Sequence, residues 1–501
     1  MEPGATGLPD PCPSLFKKRL HSSSRFSGGH EHEYVGGFRS TQKIRGVFVK
    51  DAQAFRILIR NGTVITLEQN SGRVANRVLE RHSVLIEGDR IKKISPDVDL
   101  AQTQVDQTID AAGKVVMPGL INAHMHFYST LVRGLTKAES ASDFQGVLDN
   151  LWWRLDRKLT LDDCRVSAMI PLVDAIRKGT TTLIDHHASP FAARGSLQAI
   201  AGAVKQTGLR ASLCYEVSDR DGNQVANDGL NENIEFIKST QSGADSHLRA
   251  LFGLHASFTV GEKTLARAVE AARALNTGFH VHTAEAASDQ EHALKTFGVR
   301  VVERFHEHGV LGPTTICAHC VHVDDRELAL LAQTGTAVVH NPQSNMNNAV
   351  GTADILKMKN MGVLVGLGTD AMTVNMFEEA RSGVWAQKLR QQDPGRGFSE
   401  PLEAVLFNNA IIADRYWNMG LGQLREGGAA DLILLDYEAP TPLDSSNFLG
   451  HFCFGLAQTQ VDTTICAGRV LMLRKKLMID LDEAKLASDS RQLAASLWAR
   501  F

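Results

Sequence analysis

Met117-Pro-Gly-Leu-Ile-Asn-Ala-His-Met-His126 reads as an apolar strand ending in two imidazoles. Side chains two apart on a strand point to the same side. His124 and His126 therefore stand together at the strand's C-terminal end. Downstream, apolar runs beginning near Thr180, Arg210, Arg249, Gly278, Thr314, Thr336 and Gly362 alternate with helical stretches. With the stretch at Met117 they make eight strands. Strands alternating with helices imply parallel βαβ units, and the count predicts an α/β fold with a closed (β/α)8 TIM-like barrel over residues 118–424. An open doubly wound sheet is the alternative. No Gly-rich phosphate loop follows the first strand, which disfavours it.

Working outward, residues 55–67 read as two strands around an Asn61-Gly62 turn. Residues 83–94 repeat the pattern around Gly88-Asp89, and 108–117 add a further strand-rich stretch. Near the other end, 431–436 reads as a strand and 461–472 as a hairpin turning near Gly468. The two ends are expected to assemble one small β-sandwich domain, 53–117 plus 425–475. The closing segment, 476–501, is expected to carry an amphipathic helix from Asp482 that packs on the body. Residues 1–52 are rich in Ser, Gly and Pro, with a basic cluster at Lys17, Lys18 and Arg19. No apolar core of a secretory signal follows the cluster, and the segment is expected to be a disordered extension.

The 501 residues are 43% hydrophobic and 22% charged, with net charge −3. That is the composition of a globular chain with a sizeable core. The charge balance makes no case for nucleic-acid or membrane partners, and no stretch is long and apolar enough to span a bilayer. Seven cysteines without a disulfide-like spacing point to a reduced, cytoplasmic setting. A homodimer is the expectation from oligomer statistics.

Histidine pairs alone decide little, because a chain with this histidine content holds about 0.7 His-x-His by chance. The four found are His30/His32, His124/His126, His280/His282 and His306/His308. The first falls in the N-terminal extension and the last on a charged helical stretch, so both read as solvated. Position distinguishes His124/His126, because the C-terminal strand ends of a barrel form its catalytic mouth. Strand five ends in His280-Val-His282-Thr-Ala-Glu285, strand six in Cys317-Ala-His319, and strand eight in Gly368-Thr-Asp370. Metal-ligating or acidic side chains at four strand ends form a constellation. His280, one layer deeper than His282, reads as a packed or supporting histidine.

These motifs resemble the amidohydrolase superfamily. Within it the chain is similar to the deaminase and chlorohydrolase-like branch, of the ATZ/TRZ type, and most similar to the aminohydrolases called SsnA. The stretches that carry the resemblance include Asn150-Leu-Trp-Trp-Arg-Leu-Asp-Arg, Ile184-Asp-His-His-Ala-Ser-Pro190 and Ser344-Asn-Met-Asn-Asn348, across residues 55–501. The resemblance implies one divalent metal on His124, His126, His282 and Asp370. Zinc suits three imidazoles and a carboxylate, while iron or manganese would fit similar ligands. It also implies Glu285 as the proton shuttle and His319 beside the attacking water, with Asp370 accepting the water's proton.

The reaction so implied is hydrolysis of an exocyclic C–N bond on a nitrogen heterocycle such as a purine or pterin, with ammonia released. The partner is then a small heterocyclic substrate. Two rivals remain: a dechlorinating or N-dealkylating triazine-type hydrolase, and an inactive metal-binding relative. Glu285 favours deamination, which needs ring protonation. The resemblance suggests His255 at the end of strand four as a substrate contact, and Arg133 after strand one is a further candidate. Of the adjacent Trp152 and Trp153, one is expected to stack on the ring and the other to lie in the core; Trp153 is taken as the contact, and the sequence does not decide between them. Asp185-His-His187 is expected to place a polar group near the mouth. Cys317 and Cys320 read as buried fillers, and 345–348 as a polar loop after strand seven.

Overall fold

The computed structural model describes residues 54–501 apart from 71, 72 and 244. The expected extension at 1–52, with His30 and His32, lies outside the described residues.

All eight expected strands are present as two parallel sheets. One contains Leu120–Met125, Thr180–Asp185, Arg210–Leu213 and Leu248–Ala250. The other contains Phe252–Ala256, Phe279–Thr283, Ile316–His319, Ala337–His340 and Val365–Leu367. The fourth strand is thus split at Leu251, each half serving one sheet. Two isolated parallel bridges, Met125–Asp370 and Val217–Leu254, join the sheets. Apart from Arg249 and Ala250, these strands are buried along their whole length, and helices link them, as parallel sheets require. Several helices carry full caps. Thr160 and Asp163 form a capping box at the start of Leu161–Lys178, which ends at left-handed Gly179.

Strands from both chain ends form a separate nine-stranded sheet. In it Val115–Pro118 lies antiparallel to Leu432–Leu435, which pairs with Val461–Cys466. The sequence reading took 117–126 as one strand. Instead the chain changes sheets at Pro118-Gly119: Val115–Pro118 belongs to the nine-stranded sheet and Leu120–Met125 to the parallel one. A side chain at Gly119 would overlap Thr181, so the crossing needs glycine.

Asn61-Gly62 makes a bulge and not the expected turn. Arg56–Ile65 is a single strand, with register shifts on either side of Gly62. Asn61 is left-handed at φ 67°. Val78–Glu87 pairs along one edge, and Gln107–Asp110 and Val115–Pro118 along the other. Partners on both sides hold the strand straight through a dipeptide that would otherwise reverse it. The hairpins at Gly88-Asp89 and Gly468 form as read. The C-terminal helix, Glu483–Arg500, buries Leu497. It is anchored by Trp498 Nε1 donating to Leu131 O at 2.8 Å, and by Arg500 on Asp163.

Candidate active site and metal centre

The C-terminal strand ends converge on one cavity, lined among others by His126, Glu216, His255, His282, Glu285, His319 and Asp370. Ligand atoms of His124, His126, His282 and Asp370 all lie within 4.8 Å of one another. His124 and His126 come from the first strand, His282 from the fifth, and Asp370 follows the eighth. Asp370 is left-handed at φ 52°, as is His319 at φ 73°. Such backbone costs about 1–3 kcal/mol per residue and is sustained where the surroundings enforce it. At Asp370 the enforcing contacts are backbone bonds to strand one: the Asp370 N–H donates to His124 O, and the His126 N–H donates to Asp370 O.

The donor set fits a divalent cation. His126 Nδ1 donates to His186 O at 2.5 Å, which leaves Nε2 as a lone pair aimed into the set. That lone pair sits 3.1 Å from His282 Nε2 and 2.9 Å from Asp370 Oδ1. Acceptors gathered so closely repel unless a positive centre joins them. His124 Nε2 is buried without any hydrogen-bond partner, while its Nδ1 meets His280 Nε2 at 2.8 Å. His280 is therefore the supporting histidine expected. The ionisation pattern makes the same demand. Burial pushes His124 down to about 3. Burial also opposes charge on His126, but the nearer Asp370 carboxylate raises it to about 9. Burial would raise Asp370, yet the His124 and His126 rings beside it hold it well below the usual carboxylate range. One positive charge is wanted beside Asp370, and three imidazoles with a carboxylate are suitable ligands.

Glu285 behaves in the opposite way. Burial, then the Asp370 and Asp289 carboxylates, push it well above the usual carboxylate range. It lies 3.4 Å from His319 Nε2. His319 is held by Asn345 Nδ2 at 2.9 Å from its Nδ1, and Asn348 reaches Glu285 at 3.3 Å. These asparagines correct one reading. The stretch expected as a loop is the helix Pro342–Asn347, opened by a proline at its first turn, and Ser344 on it donates to Asp370.

His255 and Trp153 join the cavity with ring centroids 6.1 Å apart. Trp152 also lines the cavity while packing against the core, edge-on to Tyr128. Arg133 does not join them. Its side chain is 57% exposed and its guanidinium stands 3.7 Å from Asp174, so it is a surface arginine and not a cavity contact. His186 and His187 are buried beneath the mouth. Cys317 and Cys320 are buried and free, outside every candidate ligand group.

Sequence reading missed Glu216. It follows the third strand in Leu213-Cys-Tyr-Glu216, a strand end to which no chemistry had been assigned. A carboxylate at that place was the available signal. Burial would raise it, but His255, His186 and Arg220 hold it below its ordinary value.

Residues 115–471 match the family model described as the amidohydrolase family. A 5'-deoxyadenosine deaminase of Methanosarcina mazei is 30% identical over 448 residues, 89% of this chain and 99% of that protein. A 5-methylthioadenosine/S-adenosylhomocysteine deaminase of Carboxydothermus hydrogenoformans is 31% identical over 450 residues, 88% and 98% of the two chains. Among solved structures, an adenosine deaminase from Xanthomonas campestris with bound zinc has a TM-score of 0.79 at 23% identity, covering 89% of this chain and 99% of that one. The chain belongs to the amidohydrolase family and is an enzyme, a hydrolase of carbon–nitrogen bonds. Among the described residues, no helix is long and apolar enough to cross a membrane.

Proposed function

We propose that the protein removes the exocyclic amino group of an aminated purine or its nucleoside, leaving a carbonyl and releasing ammonia. Glu285 carries this reading: a buried carboxyl, pushed above the usual carboxylate range, 3.4 Å from His319 in the cavity that holds the four-ligand set. A ring nitrogen must be protonated before water can displace an amine, and a neutral carboxylic acid is the group for that step. The relatives named as deaminases of adenosine derivatives support the purine class.

His124, His126, His282 and Asp370 would hold the cation, for which we propose zinc. A divalent cation bound there supplies a water that ionises near neutral pH. Asp370 takes a proton from the attacking water. His319, oriented by Asn345, hydrogen-bonds the oxygen as it attacks. Glu285 gives its proton to the ring nitrogen and recovers one as the carbonyl forms. Trp153 and Phe258 offer flat apolar surface to the ring.

We propose further that the two parallel sheets close as one (β/α)8 barrel. Support comes from the two bridges between them and from a shared apolar layer, Ala123, Ile184, Cys214, Ile316 and Val339, drawn from five strands. The nine-stranded sheet is proposed to fold over a second core as a sandwich, with Ile59, Ile86, Val116, Leu434 and Ile465 packed together.

The test is ammonia release by the metal-loaded protein from a panel of aminated purines, pterins, pyrimidines and triazines. Release from one class, abolished in Glu285→Gln with the metal retained, is the expected result. Silence across the panel, with chloride or alkylamine released instead, would replace deamination by another leaving group.

A further inference from the structure

We infer that Glu216 is a further catalytic residue: its carboxylate receives the N–H groups of the departing amine, across the site from Glu285. The inference rests on the aminohydrolase reading above.

Glu216 lines the cavity while only 5% exposed. Its Oε2 has no hydrogen-bond partner. The nearest nitrogens are His186 Nδ1, 3.3 Å from Oε2, and His255 Nε2, 3.7 Å from Oε1. His186 already directs Nε2 at the carbonyls of Leu254 and His280, each at 3.1 Å. His186 Nδ1 itself makes no hydrogen bond, so the ring leaves Glu216 Oε2 unsatisfied. Arg220 gives its Nη2 to Asp156, and its Nε and Nη1 make no hydrogen bond to Glu216. A carboxylate buried at a cavity wall without a donor costs several kcal/mol unless a ligand supplies one.

Position decides which ligand atoms those are. An oxygen of Glu216 lies within 4.8 Å of ligand nitrogens of His126, His186 and His282. An oxygen of Glu285 gathers within the same limit with a different pair, His319 and Asp370. Two buried carboxylates therefore border the cation set, each beside different members of it. The reacting carbon must sit at that set, so Glu216 meets the groups bonded to that carbon and not a distant sugar or tail. An amidine carbon carries two nitrogens that diverge in one plane. One is a ring nitrogen that needs a proton, and Glu285 faces it. The other is the exocyclic amine, which donates through N–H, and Glu216 is the acceptor without a donor.

The proton balance is unaltered. Water adds its oxygen to the carbon and one proton to Asp370. Glu285 protonates the ring nitrogen. As the C–N bond breaks, the amine takes the proton from Asp370 and leaves as ammonia, while the new hydroxyl returns a proton to Glu285. Glu216 transfers none. It holds the N–H bonds, and its hold strengthens as positive charge develops on the departing nitrogen.

Glu216→Gln keeps the size and removes the charge. In the metal-loaded full chain, three quantities are read: kcat/KM for ammonia release, the inhibition constant of the same ring with hydrogen in place of the amino group, and bound metal. The expected result is a fall in kcat/KM of about 30-fold or more, an inhibition constant within about threefold, and unchanged metal. Glu216→Asp, which retains the carboxylate but withdraws it, should lose less and show the same selectivity, and it stands in if the glutamine variant does not fold. Equal losses in kcat/KM and inhibitor binding would make Glu216 merely structural. No loss in kcat/KM would overturn the inference outright. Absence of turnover by the unaltered enzyme would instead remove the aminohydrolase reading itself.

Discussion

The two ends of the parallel strands are both rich in buried polar groups, yet they differ in one respect. At the N-terminal end, Arg210 is fully buried against Asp431. Its Nε and Nη2 donate to Asp431 at 2.7 and 3.2 Å, and Nη1 donates to Ser246 O. Asp431 also accepts from the Ala467 N–H at 2.6 Å. At the C-terminal end, His124 Nε2, His282 Nδ1, His319 Nε2 and Glu216 Oε2 are buried without hydrogen-bond partners. Buried charge alone marks neither end as functional. Saturation of the charged groups does: the Arg210–Asp431 cluster satisfies itself, and the histidine and carboxylate cluster at the other end awaits a ligand, while the hydroxyls of Thr181 and Thr182 near a strand start are neutral groups without partners.

The sharpest way to break this comparison is at the unsaturated end. Asp370→Asn or His126→Ala should cost the cation and about 1,000-fold or more in turnover, whereas Glu285→Gln should lose comparable turnover with the cation kept. Metal analysis beside an ammonia assay separates them, and metal loss in Glu285→Gln would place that residue among the ligands. At the saturated end, Arg210→Met leaves Asp431 buried and unpaired, and should destabilise by about 3–5 kcal/mol. Turnover per folded molecule should stay the same. A urea midpoint together with an activity titration tests this, and a catalytic defect without a stability loss would undo the contrast.

A smaller effect comes from acid. Burial holds His187 and His340 near 3, below the ordinary histidine value. A group depressed on folding stabilises the native state above its unfolded pKa and loses that contribution as pH falls towards the folded value. Stability should therefore drop below pH 6.5, by about 2 kcal/mol per histidine at pH 5. Unfolding in urea at pH 7.5 and pH 5 measures it, and His340→Gln should flatten the dependence. The smallest expected change is in Asn345→Ala, which frees His319. We expect about a tenfold lower kcat with KM and metal content little altered. A shift in KM alone would assign Asn345 to substrate binding.

Much of this was legible in the sequence because period and position are local properties. The eight strand starts, the split sheet from both chain ends and the strand-end residues His124, His126, His282, Glu285, His319 and Asp370 all follow from apolar runs and what terminates them. Errors arose where a local signal was overruled by partners far away in the chain. Asn61-Gly62 has turn chemistry, but strands on both sides hold it straight. The proline of Pro342-Gln-Ser-Asn opens a helix in place of a loop. Arg133 follows the strand that ends in His124 and His126, yet faces Asp174. Glu216 stands alone in its motif, and only the convergence of strands reveals it beside His186 and His255.

The crossing at Pro118-Gly119 also bears on synthesis of the chain. The strand that leads directly into His124 and His126 pairs antiparallel with Leu432–Leu435, so its partner is made about 300 residues later. At 5–20 residues per second a ribosome needs roughly 15–60 s to cover that distance. Through that interval the segment before His124 and His126 has an unpaired edge, and a nascent chain stalled before Leu432 lacks the platform on which those two histidines are hung.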